Sequence, residues 1–188
     1  MENISIRYNS SNIAFLGKKQ SGKTYFVKFL IKNIPKDKVY ILDTNRSFSS
    51  EYKHRFITNT FTPAILDKFI RVVLSENEGG KRQFLTVLDD IDVYTPLASS
   101  LFQSFNINSR NNGIGVFWTA KRPKRVSLVI FENADYLFLG KGLLGTDLQY
   151  ISNSFDIDMN AYNQLNEHEF LVYSTVDNLN MIVKAGQI

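Results

Sequence analysis

Residues 17 to 24 of the chain read Gly17-Lys18-Lys19-Gln20-Ser21-Gly22-Lys23-Thr24. Two glycines, a lysine and a hydroxyl residue at this spacing form a phosphate-binding motif, because glycine lets the backbone turn its N–H groups toward phosphate oxygens. An apolar run precedes the motif and a segment of helical period follows it, so the positive end of a helix adds to the attraction. The stretch therefore predicts a P-loop between a strand and a helix, the alternative being a glycine- and lysine-rich surface turn.

The P-loop predicts ATP and Mg²⁺ as cofactors. Lys23 is expected to reach the β- and γ-phosphates and to act in catalysis, while the hydroxyl of Thr24 is expected to bind Mg²⁺. The residues expected to contact the nucleotide run through the motif and one position beyond it: Gly17, Lys18, Lys19, Gln20, Ser21, Gly22, Lys23, Thr24 and Tyr25.

Two acidic residues, Asp89 and Asp90, follow the apolar run 84–88. A P-loop that hydrolyses its nucleotide needs such a carboxylate at the end of a strand. Asp89 is expected to bind Mg²⁺ beside Thr24, and Asp90 is expected to orient and deprotonate the attacking water. Asp92 is a less favoured substitute for Asp90. A solvated turn is the alternative for the pair, since aspartate is common after strands.

Apolar runs and segments of helical period alternate along the chain. The apolar runs 12–16, 39–42, 84–88, 114–118 and 136–139 predict strands. Helices are predicted after the P-loop up to Pro35, from Pro63 to before Gly79, from Pro96 to about Arg110, and over 126–133. Residues 45–62 have no period and are expected to be irregular, 151–168 are expected to be helical, and 169–174 with 180–184 are expected to form a hairpin.

This order predicts an α/β fold, a three-layer P-loop NTPase with a RecA-like core. The sheet is expected to be mainly parallel, covered by helices on both faces and extended by a C-terminal antiparallel hairpin. Residues 1–188 are expected to form a single P-loop ATPase domain, with the core at about 12–140 and a helical appendage and hairpin at 141–188.

Composition excludes several other classes of protein. The 188 residues contain no cysteine, which excludes a disulfide scaffold, a thiolate metal site and a cysteine nucleophile. The net charge is +4, and its positive excess lies before residue 150. A basic body fits a polyanionic partner, although solubility alone is also a sufficient reason for it. No apolar run approaches the ~20 residues that a membrane span needs, so an intracellular protein is expected.

A longer motif follows the acidic pair. It reads Ser109-Arg110-Asn111-Asn112-Gly113-Ile114-Gly115-Val116-Phe117-Trp118-Thr119-Ala120-Lys121-Arg122-Pro123, and Asn133-Ala134-Asp135 and Gly140-Lys141 flank the next apolar run. With the P-loop and the acidic pair, this pattern resembles the FtsK/HerA superfamily of P-loop ATPases over most of residues 12–140. The short chain is most similar to the genome-packaging ATPases of tailless double-stranded DNA viruses with an internal membrane.

The resemblance implies an ATP-hydrolysing DNA translocase that packages a viral genome. It implies a homo-oligomeric ring, a pentamer or hexamer, with double-stranded DNA as its substrate and a capsid or membrane-associated vertex protein as its dock. The location implied is the host cytoplasm, with association to the virion. Arg110 would be an arginine finger that acts on the nucleotide of a neighbouring subunit. The alternative for Arg110 is a cation that caps the end of a helix.

Two positions depart from the family pattern. The family usually has glutamate where this chain has Asp90, which is shorter by one methylene. The family often has glutamine before the Arg-Pro pair as a γ-phosphate sensor, and this chain has Lys121 there. Thr119, at the end of the same predicted strand, is expected to take over that polar contact and is therefore counted among the catalytic residues.

Other functions stay open from the residues alone. A small-molecule or nucleotide kinase is one alternative, with the basic cluster Lys121, Arg122, Lys124 and Arg125 as its phosphate lid. The same cluster could instead contact DNA phosphates, face a protein partner or lie in solvent. A slow nucleotide-binding assembly protein is a further alternative, because Asp90 replaces glutamate. A GTPase is disfavoured, since no Asn-Lys-x-Asp motif is present.

Overall fold

The computed structural model describes residues 6–93 and 100–184, and in these residues eight strands form one sheet. The strands are β1 (Asn12–Leu16), β2 (Val39–Asp43), β3 (His54–Ile57), β4 (Phe84–Leu88), β5 (Ile114–Ala120), β6 (Tyr136–Gly140), β7 (Glu169–Ser174) and β8 (Leu179–Lys184). Their order across the sheet is β3-β2-β4-β5-β1-β6-β7-β8.

The first six strands are parallel, and β7 and β8 add an antiparallel hairpin beside β6. Strands β1, β2, β4 and β5 are buried along their whole length, as expected of parallel strands covered on both faces. Strand β5 lies between β1 and β4. The P-loop therefore leaves the middle of the sheet, one strand away from the acidic pair.

Helices cover both faces of the sheet. They are α1 (Lys23–Ile31), α2 (Pro63–Asn77), α3 (Ser100–Asn108), α4 (Leu128–Glu132), α5 (Gly145–Ser152) and α6 (Met159–Asn163). Helix α1 packs with Phe15, Phe138 and Phe170 in one cluster, while α2 to α6 pack with Trp118 and the alternate strand residues in the other. Because successive strand residues point to opposite faces, the two clusters lie on opposite sides of the sheet. The predicted three-layer P-loop fold is confirmed.

Strand β3 was not expected, because residues 45–62 have no apolar period. It is a short edge strand whose side chains are only partly buried, so polar residues suffice to form it. The Nε of Arg55 pairs with the Oδ2 of Asp43 on β2 at 2.8 Å, and the ring of His54 stacks on Tyr40 with centroids 4.1 Å apart. These two contacts attach β3 to β2, where the sequence alone shows a loop.

The remaining differences lie at element ends. The predicted helix start at Pro96 lies outside the described residues, and α3 ends at Asn108, followed by a 3-10 turn that Gly113 closes with a φ of 66°. Residues 126–133 are helical only over α4, because a 3-10 turn at Pro123–Arg125 precedes it. In the described residues no helix is long and apolar enough to cross a membrane.

Helices α5 and α6 pack on the second face with the core strands. Ile151 of α5, and Leu165 just beyond α6, are almost fully buried in the same cluster as Trp118. Residues 145–165 thus contribute to the main hydrophobic core, and the division of the domain at residue 140 stays a prediction.

Candidate active site

The P-loop runs from the end of β1 into the first turn of α1. A Cβ on Gly17 would lie 2.5 Å from the Oγ of Ser21, so any other residue at this position would force the side chain of Ser21 to move. Gly22 has a φ of 95°, a left-handed conformation in which other residues are strained. The loop therefore has the backbone shape that the motif predicts, with α1 starting directly at Lys23.

Lys23 is almost completely buried beneath the loop. Its Nζ donates hydrogen bonds to the carbonyl oxygens of Gly17, at 2.7 Å, and Lys18, at 2.9 Å. Burial lowers the pKa of Lys23 to about 8, against the opposing effect of the nearby Asp90 charge. A buried ammonium that is held by neutral carbonyls lacks a full counter-charge, and phosphate oxygens would supply it.

Asp89 and Asp90 come together with two polar partners at the carboxyl end of the sheet. The Oγ1 of Thr119 donates to the Oδ1 of Asp89 at 2.9 Å and accepts from the backbone N–H of Asp90 at 2.7 Å. The Nδ2 of Asn45 donates to the Oδ2 atoms of both aspartates, at 2.9 and 2.7 Å. One amide thus bridges two carboxylates that would otherwise repel each other.

Thr119 was expected to contact the γ-phosphate. The structure buries Thr119 fully on β5, with its hydroxyl both donating to and accepting from the acidic pair, and the contact with the γ-phosphate stays a prediction. The place of Thr119 in the fold is that of a residue that orients the two aspartates. Asn45 was missed, although it follows the buried run 39–43 at the same edge of the sheet as Asp89. A polar residue just after a buried strand is the feature of the sequence that indicates Asn45.

Burial and mutual repulsion shape the electrostatics of the acidic cluster. Burial, followed by the charge of Asp90, raises the pKa of Asp89, and burial raises the pKa of Asp92. Lys121 donates from its Nζ to the Oδ2 of Asp90 and from its backbone N–H to the Oδ1 of Asp92. Burial alone would lower the pKa of Lys121, but the hydrogen bond and the charge of Asp90 outweigh it and raise that pKa.

A cavity of about 350 Å³ lies between the P-loop and Asp90. Its lining includes Lys23, Thr24, Tyr25, Asn45, Asp90 and Lys121. Tyr25 stands at the rim with 64% of its surface exposed. A second cavity of about 270 Å³ lies on the other side of the loop, lined by Lys18, Lys19, Gln20, Ser21, Lys141, Glu167 and His168. The predicted nucleotide-contacting residues therefore all border these cavities or form the loop between them.

The residues present fit a magnesium ion. Mg²⁺ prefers hard oxygen ligands and is commonly held by one or two carboxylates together with substrate phosphates. The hydroxyl group of Thr24 belongs to a residue that lines the cavity, and the carboxylate of Asp89 lies next to that of Asp90 through their shared donor Asn45, where burial raises the pKa of Asp89.

Arg110 lies at the opposite end of the sheet. It follows α3 and forms an ion pair with Asp135, whose other oxygen, Oδ2, accepts the backbone N–H of Asn12 at 2.8 Å. Asn12 begins β1 and the P-loop follows the end of that strand, so the length of β1, about 15 Å, separates Arg110 from the P-loop of its own chain. Arg110 cannot serve that site, and its side chain is 54% exposed.

Part of the basic cluster at 121–125 is engaged within the chain. Lys121 pairs with Asp90, and the Nε of Arg122 pairs at 2.8 Å with the Oδ2 of Asp147, which is fully buried. The other oxygen of Asp147, Oδ1, accepts the backbone N–H of Lys124 at 3.0 Å. Lys121 and Arg122 therefore have structural partners, which weakens the case for this cluster as a DNA-contacting surface or a phosphate lid.

No family model and no curated protein matches the sequence. Solved structures do resemble the chain. The genome packaging NTPase B204 of Sulfolobus turreted icosahedral virus 2, in complex with ATP-gammaS, has a TM-score of 0.78 at 16% identity over 95% of this chain and 98% of that one. The pCW3 conjugation coupling protein TcpA has a TM-score of 0.73 at 16% identity over 98% of this chain and 62% of that one.

A third similar structure is the cytoplasmic domain of the type VII secretion ATPase EccC from Thermomonospora curvata. Its TM-score is 0.67 at 11% identity, over 97% of this chain and 24% of that one. At these identities the likeness establishes the fold: the chain has the P-loop NTPase architecture of these proteins, and in B204 that architecture spans nearly the whole of both chains.

Proposed function

We propose that the chain is an ATP-hydrolysing DNA translocase of the FtsK/HerA superfamily, and that it works as a viral genome-packaging motor. The observation that carries the proposal is one cavity lined by buried Lys23 and Asp90, with Asp89 buried beside Asp90, in a fold shared with B204 over nearly the full length. The likeness to a packaging NTPase and to a conjugation coupling protein supports DNA as the substrate.

Each residue of the cluster has a distinct task in hydrolysis. Lys23 transfers its hydrogen bonds from the loop carbonyls to the phosphates. Thr24 and Asp89 would hold Mg²⁺, which when bound would supply positive charge to the phosphate oxygens. Asp90 accepts the proton of the attacking water once Lys121 has released its carboxylate, and Thr119 and Asn45 keep both aspartates aimed at the cavity.

The proposal includes a homo-oligomeric ring. Arg110 is too far from the P-loop of its own chain but is exposed at the opposite edge of the sheet, so a head-to-tail arrangement presents it to the nucleotide of the next subunit. A guanidinium suits the charge that develops on phosphate oxygens. In the ring, double-stranded DNA passes the core loops, and a capsid or membrane-associated vertex protein docks the motor in the host cytoplasm or virion.

Two measurements test this function. ATP hydrolysis is expected to rise with double-stranded DNA and to rise per molecule with protein concentration. Lys23→Ala and Arg110→Ala are each expected to be inactive alone and to regain activity when mixed, because the Lys23→Ala chain offers its arginine to an intact neighbouring site. Arg82→Ala is the control, since Arg82 makes an exposed ion pair with Glu76. Full turnover by a monomer, with no recovery on mixing, contradicts the ring.

A slow nucleotide-binding assembly protein is the second candidate, because Lys121 occupies the carboxylate of the proposed base, Asp90. That candidate is preferred if nucleotide binds tightly while phosphate release is slow and indifferent to DNA. A kinase would instead transfer phosphate to an acceptor. Its lid would need the cations of 121–125, of which Lys121 and Arg122 already pair with buried acids.

A further inference from the structure

Asn106 is a buried polar side chain that the proposed mechanism does not use. It lies on α3 with 3% of its surface exposed, and neither atom of its amide has a hydrogen-bond partner within residues 6–93 and 100–184. The Nδ2 of Asn12, also 3% exposed, has no partner in the same part of the chain. Buried amides left unpaired are costly and rare, so a pair of them points to a ligand that completes their hydrogen bonds.

Both amides line a cavity of about 390 Å³ at the edge of the sheet opposite the P-loop. Arg110 lines the same cavity, together with Asp135 and Glu132. The cavity therefore combines unpaired amide donors and acceptors with the arginine that the ring would place against a neighbour. Asp135 is paired with Arg110, and the remaining carboxylate, that of Glu132, favours an occupant that approaches from a basic surface.

The surface around the P-loop carries an exposed tyrosine and several lysines that suit this cavity. Tyr25 is the second residue after Lys23 and is 64% exposed at the rim of the active-site cavity. Lys18 and Lys19 lie on the same loop, and Lys141 borders the adjoining cavity. Exposed tyrosines are typical of interfaces, because the ring buries apolar area while the hydroxyl still finds a hydrogen-bond partner.

We propose that the cavity beside Arg110 receives Tyr25 of a second copy of the chain, whose hydroxyl pairs with the amide of Asn106. The inference rests on the head-to-tail ring of the proposed function. A neighbour that brings its phosphates to Arg110 also brings the first turn of its α1, on which Tyr25 stands. The hydroxyl both donates and accepts, as the unpaired amide of Asn106 requires.

Crosslinking tests the contact directly, because the chain has no cysteine of its own. Tyr25→Cys chains are mixed with Ile107→Cys chains, in the presence of ATP-gammaS, Mg²⁺ and DNA, and treated with a short bis-maleimide. Ile107 borders the cavity and is 47% exposed. The control partner is Ile57→Cys, equally exposed at 47% but at the end of the edge strand β3.

The expected product is a crosslinked dimer from the first mixture and none from the control. If Lys23→Ala and Arg110→Ala restore each other's activity but no such dimer forms, the contact between Tyr25 and the cavity is wrong while the ring stands. If neither the recovery nor the dimer is observed, the proposed ring fails as well. Equal crosslinking by the control overturns the contact too.

A substitution at Asn106 separates this role from a structural one. Asn106→Leu keeps the volume and removes the unpaired amide, so the isolated chain is expected to melt at the same temperature or higher. The protein concentration for half-maximal ATP hydrolysis is expected to rise ~10-fold, the equivalent of one lost interface hydrogen bond. Tyr25→Phe is expected to raise the same half-maximal concentration by a similar factor. In the double variant Asn106→Leu/Tyr25→Phe the second substitution is expected to add little to the effect of the first, because both remove the same hydrogen bond. A lower melting temperature with unchanged assembly refutes the proposal.

Discussion

The Thr119→Val substitution measures how much the hydrogen bonds between Thr119 and the acidic pair contribute to stability and to ATP hydrolysis. Valine has the shape of threonine but no hydroxyl, so the change removes the hydrogen bond to Asp89 and leaves the backbone N–H of Asp90 without its acceptor. Both bonds lie in a fully buried environment, where Thr119 is 0% exposed. We expect the variant to be destabilised and to lose most of its ATP hydrolysis.

The magnitude follows from the two bonds. A hydrogen bond to an ionised carboxylate is worth ~1.5–3 kcal/mol, and an unpaired buried N–H costs ~1–3 kcal/mol. After allowance for the better burial of valine, the free energy of unfolding is expected to fall by about 3 kcal/mol. In a chain of 188 residues this corresponds to a loss of about 6–12 °C in melting temperature.

Thr86 provides the matched control. It lies on β4, beside β5, and is likewise 0% exposed, but its hydroxyl has no hydrogen-bond partner within the described residues. Thr86→Val is therefore expected to leave the melting temperature unchanged or to raise it, because a desolvated hydroxyl is removed. The same substitution of threonine by valine is thus expected to lower the melting temperature in β5 and to leave it unchanged or raise it in β4.

Thermal unfolding followed by circular dichroism provides the assay, at neutral pH and at a series of more acidic pH values. The hydrogen bond from Thr119 lowers the pKa of Asp89, against the larger effect of burial, which raises it. A bond that favours the ionised carboxylate stabilises above the pKa and is lost as the pH falls through it, so the difference between Thr119→Val and the unaltered chain should shrink in acid. A Thr119→Val chain that melts within about 1 °C of the unaltered one, or no further from it than Thr86→Val, refutes the reasoning.

Three further predictions concern the charged groups. The pKa of Lys23, lowered to about 8, lies below the unfolded value, so stability without nucleotide should rise between pH 8 and 10 by on the order of 3 kcal/mol, and titration of Lys23→Met should lack that rise. Arg55→Met should cost ~3 kcal/mol in urea unfolding, because the buried carboxylate of Asp43 keeps two backbone N–H donors but loses its counter-charge. Arg82→Met, at an exposed ion pair, should cost under ~1 kcal/mol. Lys121→Met should free the carboxylate of Asp90; a changed rate of single-turnover hydrolysis at saturating nucleotide is expected, and an unchanged rate contradicts the role of the ion pair.

The sequence predicts most of the fold because its central strands are buried on both faces. Such strands appear as uninterrupted apolar runs, and the P-loop marks where β1 ends and α1 begins. Strand β3 was not predictable, because its half-exposed residues depend on the partners Asp43 and Tyr40, which come earlier in the chain. Edge strands of this kind are formed by tertiary contacts more than by their own pattern.

Some residues of the candidate site are likewise predictable from local sequence patterns, and others are not. The P-loop and the paired aspartates follow local patterns, whereas the roles of Asn45 and Thr119 depend on strand order. Only when β5 lies between β1 and β4 does Thr119 come beneath the acidic pair. Arg110 lies at the opposite end of the sheet from its own P-loop because it precedes β5, which is parallel to β1, whereas the P-loop follows β1.

Strand β5 has a mechanical consequence for the proposed ring. It begins four residues after Arg110 and ends just beyond Thr119, and every one of its residues is buried. One rigid segment, about 20 Å long, thus joins the residue that would sense a neighbour's phosphate to the hydroxyl that aims the chain's own base. When the neighbouring subunit hydrolyses its ATP, a small shift of Arg110 would be transmitted along strand β5 to Asp89 and Asp90. Subunits linked in this way would hydrolyse ATP one after another around the ring, because the nucleotide state of each subunit would affect the acidic pair of its neighbour.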